Sequence, residues 1–324
     1  MQARLIARAK ELLASGEVNR VLGWKRGEFA YDITPAVFSS AQELDADFVF
    51  DDFCGANLSK YLIKLSRKEG KIAAFLKPCD TYSFNQLIKE HRIDRDQVYV
   101  IGVACEGMAD VEKIKDLGVT GITGIRREGE DLAVETMYGP ETVARQDALA
   151  ERCLVCKSKA HVVYDELIGE TGQVNPDSGR FAQVEKLEAM TSQERFDFWR
   201  GELSRCIRCN ACRNACPACS CEKCVFDNDA SGVANKAAAD AFEENLFHII
   251  RAFHVAGRCT DCGECSRVCP QRIPLHLLNR KFIKDINELY GEYQAGADAE
   301  SRAPLTDFTY GDVEPGVVHE RGRA

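Results

Sequence analysis

The sequence predicts two domains of different class. An α/β domain with a small parallel or mixed sheet is expected over residues 1–180, and an all-α domain wrapped around cysteine clusters over residues 181–295. An acidic, extended tail over residues 296–324 follows. Three observations carry this. Short apolar runs alternate with helix-like stretches in the first half. The stretch Gly169–Gly179 gathers three glycines with Asn175-Pro176 and Asp177-Ser178, the punctuation of a linker. Beyond it, helical periodicity is interrupted by two identical cysteine runs.

Taken in order, Met1–Gly16 reads as an amphipathic, charged helix without the apolar stretch of an export signal. Strands are expected at Asp47–Phe50, Lys71–Leu76 and Gln97–Val103, with helices at Leu58–Arg67 and Thr81–His91 between them. Strands and helices alternating at this spacing suggest parallel βαβ units. Asp80 stands where a helix N-cap should, its carboxylate free to accept backbone N–H groups. Gly121–Arg126 and Leu132–Met137 read as a β-hairpin. Thr191-Ser192-Gln193-Glu194 matches a capping box opening a helix through Phe196, Trp199 and Leu203. Ala234–Val255 is expected to be helical, with Phe242, Leu246, Ile249, Ile250 and Phe253 as an apolar stripe against the cysteine loops. A final helix is expected over Leu275–Tyr290.

The two cysteine runs are Cys206, Cys209, Cys212, Cys216 with Pro217, and Cys259, Cys262, Cys265, Cys269 with Pro270. Both read C-x2-C-x2-C-x3-C-P, the spacing with which a loop and one helical turn wrap three thiolates around a 4Fe-4S cube while the fourth reaches the neighbouring cube. The expected ligand sets are Cys206, Cys209, Cys212 and Cys269 for one cube, and Cys259, Cys262, Cys265 and Cys216 for the other. Structural zinc also uses C-x2-C pairs, but a third cysteine at the same interval and a trailing Cys-Pro, both repeated, fit iron–sulfur better. Paired cubes move single electrons, which makes redox wiring the centre of the functional reading.

Eight cysteines remain of the sixteen: Cys54, Cys79, Cys105, Cys153, Cys156, Cys219, Cys221 and Cys224. At four thiolates per cube the total is arithmetically four cubes. Cys79 lies between a strand and a helix and Cys105 just after the next strand. If those strands are parallel, both stand at one sheet edge, where α/β proteins place ligands. With the C-x2-C of Cys153 and Cys156 they form a third candidate set. Cys219, Cys221 and Cys224 would complete a fourth with Cys54 if the two domains touch there. The plainer alternatives are a C-x2-C sealed by zinc, or a spare ligand.

Composition narrows the class. The chain has 324 residues, 45% of them apolar, enough for two cored domains. No apolar run approaches the roughly 20 residues of a membrane helix. A formal charge of −9 argues against nucleic acid, which needs clustered Lys and Arg. Many cysteines without an export signal point to a reducing, cytoplasmic setting. Arg126-Arg127, His248 and His254 are weaker candidates, for an anionic cofactor and for hydrogen bonds to the clusters. No Ser–His–Asp arrangement, HExxH or phosphate loop is present.

The Pro78-Cys79 turn, the Cys105-Glu106-Gly107 turn, Cys153-x2-Cys156 and Asp165-x3-Gly169-x2-Gly172 together resemble the beta-subunit family of coenzyme F-420 hydrogenases and dehydrogenases, over roughly Lys71–Gly172. The second half, with Arg251–Cys265 as the nearest stretch, resembles the α-helical dicluster ferredoxins of multisubunit respiratory enzymes. The first resemblance implies a 4Fe-4S cluster on Cys79, Cys105, Cys153 and Cys156, an FAD beside it, and electrons exchanged with a deazaflavin or another partner.

The leading expectation is therefore an electron-transfer subunit of a cytoplasmic, anaerobic oxidoreductase complex. Its partner would be a formate dehydrogenase, a hydrogenase or a heterodisulfide reductase-like protein, with ferredoxin as a further exchange partner. A flavin-dependent oxidoreductase subunit acting on a deazaflavin or NAD(P)H is the second expectation. A zinc-stapled interaction module is the third.

Overall fold

A computed structural model describes residues 1–228 and 241–306. Its elements in chain order are α1 (Gln2–Ala14), β1 (Arg20–Arg26), β2 (Ile33–Phe38), α2 (Ala41–Asp47), α3 (Ser59–Leu65), β3 (Ile72–Leu76), α4 (Pro78–Lys89), β4 (Val98–Val103), α5 (Val111–Asp116), β5 (Ile122–Glu128), β6 (Asp131–Thr136), β7 (Gly139–Ala144), α6 (Arg145–Ala148), α7 (Glu151–Leu154) and β8 (Glu166–Ile168). The helical half follows with α8 (Ala182–Glu188), α9 (Ser192–Leu203), α10 (Ala211–Ala215), α11 (Ala241–His254), α12 (Glu264–Arg267) and α13 (Leu275–Tyr290). The start of the helix expected over Ala234–Val255, and the tail beyond residue 306, lie outside the described residues.

The α/β half holds a mixed five-stranded sheet in the order β2-β1-β3-β4-β8, antiparallel between β1 and β2 and parallel elsewhere. Every residue of β3 is buried, as expected of a strand covered on both faces. The hairpin is joined by a third strand, giving the antiparallel sheet β5-β6-β7. Expected strand Asp47–Phe50 is instead the end of α2 and an irregular segment touching β1 through a single Lys25–Phe48 bridge. Ser40 caps α2, its hydroxyl accepting the Glu43 N–H, which carries helical backbone as far as Asp47.

Two helix ends show how local chemistry places cysteines. Asp80 is the third residue of α4 rather than its cap. Lys77 is the N-cap and Pro78 takes the first turn, where a missing N–H costs nothing. The Asp80 carboxylate then accepts the Lys77 N–H at 3.2 Å. On α9, Thr191 and Glu194 form the expected reciprocal capping box.

The buried face of α11 differs from the apolar stripe expected for it. Phe242, Ile249 and Phe253 are exposed, while Phe247, His248, Arg251, Ala252 and Val255 are buried. Those positions fall at i, i+1, i+4, i+5 and i+8, one helical face. The face turned to the cysteine loops thus carries polar donors as well as apolar surface.

The halves are in direct contact. Ser83 and Thr260 hydroxyls lie 2.9 Å apart, Lys157 donates to the Thr260 carbonyl at 2.7 Å, and Arg258 forks onto Glu90 at 2.6 and 2.7 Å. After α13 the chain returns to the first half: Gln294 accepts from Arg180, and Gly296 lies against the Tyr82 carbonyl.

Candidate metal centres

Strands β3 and β4 pair in parallel with Leu76 opposite Gly102, so Cys79 and Cys105, each three residues further on, leave the sheet at the same edge and level. Cys153 comes from α7 and Cys156 from the loop after it. All four line one cavity of ≈ 40 Å³, with Lys77, Met108, Arg152 and Lys157 around them. Thr260, Asp261 and Cys262, from the second cysteine run, form another part of its wall. Burial pushes the Cys105 thiol up to about 12, with Cys153 adding to the effect, and drives Cys79 well above the usual thiol range. Cysteine binds metal as the thiolate, so loading a site of buried, neutral thiols releases protons.

Cys206, Cys209, Cys212 and Cys269 line a second cavity of ≈ 20 Å³, with Phe247 and His248 from α11. The fourth cysteine of the second run thus shares a cavity with the first three of the other. The reciprocal set is also drawn together. Cys216 lies close enough to Cys259, Cys262 and Cys265 to bear on the charge of each, although burial is the larger influence on all three.

The two loops have matching backbones. Arg208 and Asn210 flank Cys209 with φ of 52° and 62°; Asp261 and Gly263 flank Cys262 with φ of 60° and 68°. Left-handed residues alternating with right-handed ones turn successive N–H groups inward, an anion-binding concavity common at iron–sulfur sites. The Arg208 N–H already points at the Cys206 sulfur, at 3.4 Å. His248 Nε2 lies 3.2 Å from the same sulfur, and burial holds that imidazole down to about 3, well into its neutral form. Cys206, Glu244 and His248 bring a sulfur, a carboxylate oxygen and a ring nitrogen within 4.8 Å of one another.

The fit to cubes is supported from another side. Arg251 is 3% exposed, yet none of its guanidinium nitrogens has a hydrogen-bond partner among the described residues. A buried cation without an anion is costly. Its surroundings are cysteines of both runs, the places where anionic clusters would sit. Sequence reasoning missed it because charged positions were left out of the α11 periodicity.

The fourth expected set is not assembled. Cys54 is fully buried in the core of the α/β half, its thiol donating to the Val49 carbonyl and its sulfur accepting from the Asp51 N–H. Cys219 packs against the small cluster that holds Cys216, Ala218 and Val255, Cys224 packs against the core of the helical half, and Cys221 is exposed. The trio follows a loop whose Cys219 and Ser220 carbonyls are bound by Lys60 and Arg92. The physical reason is the Asp51–Gly55 turn, which points Cys54 inward to satisfy its own backbone. Cys219 does touch a run cysteine: its hydrogen bond holds the Cys216 thiol below the usual thiol range.

The weaker candidates resolve simply. Arg126 pairs with Glu128, and Arg127 with Asp52 and Glu106, so neither faces an open anion site. His254 is exposed at the end of α11. No helix among the described residues is long and apolar enough to cross a membrane.

Residues 202–273 match the 4Fe-4S dicluster domain family. The chain is 25% identical to F420-dependent formate dehydrogenase subunit beta of Methanocaldococcus jannaschii, over 91% of this chain and 92% of that protein. It is 24% identical to F420-dependent formate dehydrogenase 1 subunit beta of Methanococcus maripaludis, over 91% of each. The F420-reducing [NiFe] hydrogenase complex from Methanosarcina barkeri contains a chain that aligns with a TM-score of 0.42 and 13% identity, over 57% of this chain and 72% of that one.

Proposed function

We propose that the chain, an iron–sulfur electron-transfer subunit of an oxidoreductase complex similar to beta subunits of F420-dependent formate dehydrogenases, holds three 4Fe-4S cubes in a row. The ligand sets are Cys79, Cys105, Cys153 and Cys156; then Cys259, Cys262, Cys265 and Cys216; then Cys206, Cys209, Cys212 and Cys269. Bound cubes supply one-electron transfer, at potentials set by charge, hydrogen bonds to sulfur and burial.

The single observation carrying the order is Cys262, which belongs to the middle set and also walls the cavity of the first-domain set. The surrounding residues fix that proximity. Lys157 ties the loop after Cys156 to Thr260, and Arg152, next to Cys153, donates to the Cys262 carbonyl at 2.8 Å. At the far end Cys209 is exposed, which supports a third set close to the surface and within reach of a partner. The names of the relatives point to a formate dehydrogenase as that partner; a hydrogenase or heterodisulfide reductase-like protein would use the same chemistry.

A second reading adds flavin. A cleft of ≈ 750 Å³ shares Lys157 and Ser158 with the first-domain cavity and is lined by Tyr82, Arg180, Phe181 and Tyr293. An FAD there would turn two-electron hydride chemistry into single electrons. Anaerobic purification with iron, sulfide, zinc and flavin quantification tests both readings. Three cubes require about twelve iron per chain, and two require about eight. Stoichiometric flavin supports the second reading, and zinc in place of iron overturns both.

A further inference from the structure

We propose that Arg251 is a positioning cation shared by the two cubes of the helical half, setting both of their potentials at once. The inference rests on the reading of those two ligand sets as cubes.

Four observations place it. Arg251 stands on the buried face of α11, one turn after His248, and is almost completely enclosed. Its three guanidinium nitrogens are without a hydrogen-bond partner among the described residues. The thiols near enough for their charge to bear on it are Cys265, Cys216, Cys212 and Cys219. Cys212 belongs to the Cys206 set, and Cys216 and Cys265 belong to the Cys259 set, so the side chain lies where the two sets adjoin.

The chemistry follows from charge. A guanidinium is always protonated and offers five donors in a rigid fork, suited to anionic sulfur on more than one side. Charge in a low-dielectric interior is weakly screened. Each cube becomes more negative on reduction, so a fixed neighbouring cation favours the reduced state of both. It also relieves repulsion between them when both are reduced. His248 differs in kind: neutral and beside Cys206, it reaches one set only.

The test is an EPR-monitored redox titration of the full, anaerobically purified chain, comparing wild type with Arg251→Met and Arg251→Lys at matched iron and sulfide content. Arg251→Met should reduce the reduction equilibrium constant of both helical-half cubes about tenfold, which is about 59 mV each for one electron. Arg251→Lys should stay within a few-fold of wild type, and the wave of the first-domain set should not move. Unchanged midpoints in Arg251→Met overturn the proposal, as does a shift confined to one of the two cubes or a uniform shift of all waves. If Arg251→Met loses its iron, Arg251→Gln is compared with Arg251→Lys, and equal midpoints in that pair overturn the proposal. Wild-type protein without iron would refute the underlying cube reading instead, so the two failures are distinguishable.

Discussion

Arg152 and Glu264 form a buried ion pair, Nη1 to Oε1 at 2.5 Å, and each immediately precedes a proposed cluster cysteine, Cys153 in one half and Cys265 in the other. Arg152 also donates to the Gly55 carbonyl at 2.6 Å, and Glu264 accepts a fork from Arg267 at 2.7 and 2.9 Å. The joint between the halves is thus made one residue away from the proposed cluster cysteines.

That pair predicts a pH-dependent joint. Burial on its own would raise Glu264, but Arg267 and Arg152 outweigh it and hold the carboxyl at about 2, against an ordinary 4.5. A folded-state value below the unfolded one means stability that is fully present above about pH 4.5 and lost as pH falls through about 2. Glu264→Gln should therefore be roughly 3 kcal/mol less stable than wild type at neutral pH. Thermal unfolding under anaerobic conditions should show that gap constant from pH 7 to 5 and closing below 4.5. A gap that stays the same down to pH 3 contradicts the assignment.

Lys77 should tolerate neutralisation badly. Its ammonium is 1% exposed, 3.0 Å from Asp80, 2.8 Å from the Ala56 carbonyl and 4.6 Å from the Trp24 ring centroid. Lys77→Met leaves the Asp80 carboxylate buried and uncompensated, a loss of about 3–5 kcal/mol. The double variant with Asp80→Asn should recover part of it. Denaturant unfolding of both checks this, and full additivity of the two losses would contradict the pairing.

Cys156→Ser should remove one cube and spare two. Iron should fall by about four per chain, with the EPR signals of the helical half retained. Loss of all iron together would mean the three sites do not assemble separately.

Cys54→Ala and Cys221→Ser should leave iron content unchanged. Cys54 packs in the α/β core, so its truncation should lower stability by roughly 1 kcal/mol. Iron analysis with unfolding curves decides it; a drop of about four iron in either variant would restore a fourth cube.

The cysteine runs, β3, β4, α4 and the Thr191 cap were readable because each is written in local chemistry: fixed spacing, an apolar run or a capping pair. What escaped was set by tertiary context. β2 and β7 contain Pro35 and Pro140, residues that ordinarily argue against a strand, and both are sheet edges where a missing N–H is tolerated. β8 has three residues, too short for periodicity. The α11 face differs from the expected stripe because its buried positions include His248 and Arg251, polar groups that apolar periodicity leaves out. Cys54 was placed with the trio on arithmetic, whereas its turn directs it into the core.

Gly296 has φ +74°, and a β-carbon there would lie 1.8 Å from the Tyr82 carbonyl oxygen. The polypeptide leaving α13 therefore comes back onto the helix that begins beside Cys79, in a groove open only to a residue without a side chain. The helical half is consequently moored at its departure from the sheet and again at its return. For cubes in the proposed sets, tunnelling rates would decay exponentially with separation, so a double mooring would set the distance between the halves as the chain folds.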